Sequence, residues 1–81
     1  MTRHKLKVVS GIMETRDYLG KHIYNLRKEK KLSQEQLAFE SNTTNKCISD
    51  LELSKRNVKI DTIERIAKAL GVTVSDITKP I

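Results

Sequence analysis

The chain has 81 residues, with 16 lysines and arginines against 10 aspartates and glutamates, so it carries a net charge of +6 and is only 37% hydrophobic. A chain of this size is expected to form one small domain around an aliphatic core, without room for a second catalytic or effector domain. The charge suits a polyanionic partner, whereas the missing membrane-length apolar run, the missing leader signal and the single cysteine, Cys47, lead to the expectation of a soluble cytoplasmic protein without a disulfide.

Residues 1–17 read MTRHKLKVVSGIMETRD, in which basic and apolar residues alternate around Leu6, Val8 and Val9 until Gly11 interrupts them. This is an N-terminal basic arm: a short strand, a disordered end or a tail that follows a polyanion. From Tyr18 to Lys31 the spacing of Leu19, Ile23 and Leu26 predicts a first helix, with Asp17 as its N-cap and Lys28, Lys30 and Lys31 in its last turn. Ser33 and Gln36 match a capping box for a second helix, whose inner stripe is Leu37, Ala38 and Ser41. Asn42 and Thr43 form a turn, Thr44 caps a third helix that runs to about Leu53, and the polar stretch SKRNVK is a loop. A fourth helix presents Ile60, Ile63, Ile66, Ala67 and Leu70 on one face and stops at Gly71. Thr73 and Asp76 then cap a short fifth helix carrying Val74 and Ile77, which Pro80 closes. The fold class is all-α: a compact bundle of five helices over residues 18–78, with a tail at 79–81.

Within this series the window 34–53, QEQLAFESNTTNKCISDLEL, has small and apolar residues where two steeply crossing helices need them. Ala38 is small at the crossing, Asn42 tolerates the left-handed turn, and Ile48 with Leu51 forms the inner face of the second member. That is a helix-turn-helix, and it leaves the opposite face free to enter a DNA groove. The window holds one base, Lys46, against Glu35, Glu40, Asp50 and Glu52, a net of −3, which leaves +9 for the remainder. Attraction to phosphates is therefore expected from the flanking segments rather than from the reading helix.

From Leu19 to Ile77 the chain resembles the lambdoid phage repressor and Cro family, the Xre-type helix-turn-helix proteins. The phrases IYNLRKEKKLSQEQLA, NTTNKCISDLE and IERIAKALGVTVSDI carry the likeness. The resemblance implies a five-helix domain, a homodimer and a palindromic double-stranded DNA operator read by the third helix in the major groove. By position it implies that Thr44, Asn45, Lys46 and Ser49 reach base edges or adjacent phosphates, with Asp50 a weaker candidate. Gln34 corresponds to a phosphate-holding residue, Lys55 and Arg56 to a loop that grips the backbone, and Arg27 with Glu52 to an ion pair bridging the first and third helices. The chain departs from the family pattern at Asn42 and Ser54, which stand where glycine is common, and at Val58 and Lys59, which replace a proline and a capping serine. If Ser54 keeps left-handed dihedrals, it costs on the order of 1 kcal/mol.

The carboxamide of Asn45 offers the donor and acceptor that match adenine N6 and N7, and Lys46 can donate to guanine O6 and N7 or to a phosphate. Lys55, Arg56 and Lys59 would bind the backbone through counterion release. Each residue also has a plainer reading, as part of a solvated helix start or a solvated basic loop. A thiol switch at Cys47 is weighed against a small apolar filler, and the filler is preferred. His4 and His22 lack companions for a metal site, Asp61 and Glu64 suit the solvated start of a helix, and no catalytic constellation or cofactor motif is visible.

The expected function is a sequence-specific, autoregulatory transcriptional regulator of the phage, plasmid or restriction-modification controller type, not an enzyme. Its dimer contact is expected through Val74, Ile77 and Ile81. Two alternatives remain: an antitoxin whose main partner is a toxin protein, and an adaptor that binds nucleic acid without reading sequence.

Overall fold

The computed structural model describes residues 14–81, so the N-terminal arm up to residue 13 lies outside the described residues. Five helices follow in order: α1 (Thr15–Glu29), α2 (Gln34–Glu40), α3 (Asn45–Glu52), α4 (Ile60–Leu70) and α5 (Val74–Thr78). α1 packs on α3 and α5, α2 on α3 and α4, and α4 on α5. The interior is aliphatic: Ile23, Leu37, Ile48, Leu51, Ile66, Leu70 and Ile77 are fully enclosed, with Leu19, Ala38, Cys47 and Ala67 around them. Enclosing each of the large aliphatic side chains stabilises the fold by about 1.5–3 kcal/mol before entropy is counted.

Residues 15–17, assigned to the arm by sequence, are helical, and the N-cap is Glu14 rather than Asp17. Asp17 occupies the third helical position, where its carboxylate accepts the Glu14 amide at 2.9 Å. That geometry satisfies a free amide one turn earlier than the spacing of Leu19 and Ile23 suggested. The capping boxes at Ser33 and Thr73 form as expected, and Thr44 Oγ1 accepts the Cys47 amide at 3.0 Å.

Four helices end by one mechanism. After α1, α2, α3 and α4 the chain turns left-handed at Lys31 (φ 60°), Asn42 (φ 57°), Ser54 (φ 59°) and Gly71 (φ 75°). The amide one residue further then reaches back: Leu32 to Arg27 O, Thr43 to Ala38 O, Lys55 to Asp50 O and Val72 to Ala67 O, at 2.8–3.0 Å. These bonds satisfy carbonyls that the helix itself leaves open. Glycine does this without steric cost only at Gly71; the other three positions carry side chains in the left-handed region.

Two apolar assignments change. Ile60, expected on the inner face of α4, is 63% exposed, because it is the first helical residue and lies before the turn that packs on the core. Ile77, expected at a dimer contact, is fully enclosed because α5 folds back onto α1. No helix among the described residues is long and apolar enough to cross a membrane.

Candidate nucleic-acid interface

The helical period of α3 places Cys47, Ile48 and Leu51 in the interior and turns Asn45 and Lys46 outward, beside the exposed Thr44. Ser49 and Asp50 are half-buried at the edge of this outward face. The preceding turn is held from within. Ser41, 2% exposed, donates its hydroxyl to Leu37 O at 2.7 Å and shares a hydrogen bond with Thr43 Oγ1 at 2.9 Å. From α4, Arg65 Nε donates to Ser41 O at 3.0 Å, which anchors the turn to a third helix.

The inner side of α3 is tied to α1 by a buried ion pair. Arg27 Nε donates to Glu52 Oε2 at 2.6 Å and Nη2 donates to Oε1 at 3.0 Å, with the two side chains 8% and 6% exposed. The third guanidinium nitrogen, Nη1, donates to Leu32 O at 2.8 Å, and the Tyr24 ring covers the cation with its centroid 5.5 Å away. Hydrogen bonding to Glu52 raises the Arg27 guanidinium above its ordinary pKa, so Arg27 keeps its charge throughout the working range. Gln34 Nε2 also donates to Glu52 Oε1 at 3.0 Å, which joins the start of α2 to the same carboxylate.

Gly20 was missed by sequence reasoning. A Cβ there would press into the carbonyl oxygen of Leu51 and lie 3.2 Å from that of Glu52, so only glycine lets α1 cross the end of α3 this closely. The available signal was a glycine inside a helical pattern, which costs about 1 kcal/mol against alanine and so points to a packing reason.

The structure brings most of the residues singled out by resemblance together with neighbours that the resemblance did not name. Thr44, Asn45 and Lys46 share the outward start of α3. Lys28, Lys31, Ser33, Gln34 and Asn45 line one open groove of about 770 Å³ where the end of α1 and the starts of α2 and α3 converge. Arg56, half-buried in the loop after α3, donates to Asp50 Oδ2 at 3.2 Å, and Lys46 Nζ lies 3.3 Å from that same oxygen. Partial burial pushes Asp50 up, but hydrogen bonds from Lys46 and Arg56 outweigh it and hold the carboxyl below its ordinary range. Lys55 is exposed and stands apart from this cluster. Among the described residues no group of three or more histidine, cysteine, aspartate or glutamate side chains could hold a metal ion.

A bihelical unit with a buried inner face, a rigid left-handed turn and an outward polar edge rimmed by lysines defines a helix-turn-helix DNA-binding domain. The profile of the helix-turn-helix family matches residues 23–77. The chain is 46% identical over 59 residues to the control protein C.BamHI of Bacillus amyloliquefaciens, covering 72% of this chain and 73% of that protein. It is 41% identical over 59 residues to the immunity repressor protein of Bacillus phage phi105, covering 73% of this chain and 41% of the repressor. Among solved structures, the restriction-modification controller protein C.AhdI from Aeromonas hydrophila superposes with a TM-score of 0.73 at 32% identity, covering 76% of this chain and 94% of that one. The chain belongs to the Xre-type helix-turn-helix family of DNA-binding transcriptional regulators.

Proposed function

We propose that the chain is a homodimeric, autoregulatory regulator of the restriction-modification controller or phage repressor type, acting on a palindromic duplex in the cytoplasm. The observation that carries this reading is the division of α3 into a buried face and an outward start at Thr44, Asn45 and Lys46. Two copies would set paired α3 helices about 34 Å apart, one turn of B-DNA, in successive major grooves. Asn45 and Lys46 would read base edges, with Thr44 and Ser49 beside them. Gln34, Lys55 and Arg56 would contact phosphates, helped by Lys28 and Lys31 along the groove. Ile77 is enclosed and drops out of the expected contact between copies; Ile81, at 67% exposure, stays available for it, together with Leu53 and Ile60, at 60% and 63%, which bracket the loop after α3.

Selection from a random pool of duplexes tests this directly: an inverted repeat should be recovered. Asn45→Ala should then relax preference at one position by about 1–3 kcal/mol, whereas Lys55→Ala should weaken every duplex alike and reduce the salt slope by about 1. Recovery of no motif, or identical behaviour of the two variants, would overturn the assignment.

A further inference from the structure

A carboxylate on a face that meets a polyanion needs a reason, since it repels the phosphates that its neighbours attract. Asp50 is such a residue. Its Oδ2 holds two cations at once, Lys46 Nζ at 3.3 Å from the preceding turn of α3 and Arg56 Nη2 at 3.2 Å from the loop. The Asp50 side chain is 17% exposed, while the ammonium-bearing side chain of Lys46 is 77% exposed and that of Arg56 38%. The carboxylate is therefore recessed between the two cations at the edge of the reading face. If its only task were to fasten the loop, a neutral carboxamide would accept the same arginine hydrogen bond without repelling DNA.

We propose that Asp50 is a specificity-determining residue: it withholds Lys46 and Arg56 from the phosphates of an arbitrary duplex and releases them where a base-edge donor takes their place. The inference rests on α3 being the reading helix. On an arbitrary duplex, a phosphate that draws away either cation leaves Asp50 less compensated beside the polyanion. The major groove offers two donors to a carboxylate, the amino groups of cytosine N4 and adenine N6. Where one lies within reach, the carboxylate accepts from it, which frees Lys46 for the base edge in front of it and lets Arg56 turn to the backbone. Asp50 thus acts mainly by weakening wrong complexes.

Asp50→Asn keeps the shape and one acceptor oxygen but removes the charge. The full-length wild type and this variant would be titrated against the selected operator duplex and a scrambled duplex over a series of salt concentrations. The scrambled duplex should bind the variant roughly five-fold more tightly, the scale of one exposed charge pair, and its log–log salt slope should steepen by about 0.9. Operator binding should not tighten, so the specificity ratio falls. Asp50→Glu should retain the wild-type slope. In a Lys46→Gln, Arg56→Gln background, Asp50→Asn should leave the slope unchanged. Equal tightening on both duplexes, or an unmoved slope on scrambled DNA, would overturn the proposal. A wild type without preference for any duplex would instead overturn the reading of α3 on which it rests.

Discussion

Two charge clusters flank α3, built from the same kinds of side chain, and their surroundings give them opposite characters. On the inner side, Arg27 and Glu52 are less than a tenth exposed, joined by two hydrogen bonds, with the remaining guanidinium nitrogen on a backbone carbonyl. On the outer side, Asp50 shares one oxygen between Lys46 and Arg56, both open to water. Burial makes the first pair part of the frame, because either charge left alone would be desolvated and uncompensated. Exposure leaves the second exchangeable, since water can take the place of either cation on Asp50 at little cost, whereas a phosphate that draws one off leaves the carboxylate less compensated. A DNA-binding helix needs both conditions: one side pinned so that the reading edge is rigid, and the other free to trade its partners.

The largest expected effect tests the pinned side. Glu52→Ala should destabilise the fold by about 3–5 kcal/mol in a denaturant titration, because Arg27 stays buried without its carboxylate. Replacing both partners together, Arg27→Met with Glu52→Leu, should recover most of that loss. A Glu52→Ala loss below 1 kcal/mol would erase the contrast between the clusters. Next, Gly20→Ala should cost about 1–3 kcal/mol through collision with the Leu51 carbonyl, despite alanine's better helix propensity. Stabilisation by this variant would mean that α1 can shift away from α3 freely. A smaller effect is expected where α3 ends: Ser54→Gly should raise stability by less than about 1 kcal/mol. Relief of the left-handed strain is offset there by greater freedom of the unfolded chain.

The smallest effect separates the clusters by pH. Asp17 is held below its ordinary range by the Glu14 amide and the Ser54 hydroxyl, Asp76 by hydrogen bonds from the Thr73 backbone and side chain, and Asp50 by its two cations against the opposing effect of burial. A carboxyl lowered in the native state adds stability that is present above its unfolded pKa of about 3.9 and is lost as pH falls through the native value. Arg27 is raised, so its contribution is present below its ordinary pKa and is lost only as pH rises through the still higher native value. Melting temperature should therefore hold level as far as these groups control it down to about pH 4 and fall below that, with a shallower fall in Asp50→Asn. An unchanged acid limb in that variant would remove Asp50 from the outer cluster's energetics.

Helix stops show how far local reading carried. Asn42 and Gly71 could be placed because each follows an apolar stripe and both residue types are suited to left-handed turns, whereas Ser54 was marked only by the family resemblance. Lys31 could not, since lysine has no such preference. Its turn accompanies contacts to Arg27, whose carbonyl accepts the Leu32 amide and whose Nη1 donates to Leu32 O. Ile77 failed for a related reason: its apolar character was evident, but whether a second copy or α1 covered it depended on where α5 returned. The resemblance supplied Arg27 with Glu52 and the outward residues of α3, but it left out the shared bonds of Asp50 and the extra bond from Gln34 to Glu52.

Local pattern alone determined that this chain makes five short helices, which capping residues start most of them, and which edge of α3 faces outward, because these follow from a 3.6-residue period and the hydrogen-bonding reach of neighbouring side chains. Tertiary structure decided how closely α1 approaches α3 at Gly20, which charges are sealed and which stay exchangeable, and that Ile77 belongs to the core. The crossing at Gly20, the sealed pair and the burial of Ile77 depend on groups 25 or more residues apart coming together, and the energy of a charge or a methyl group is set by what surrounds it after that meeting.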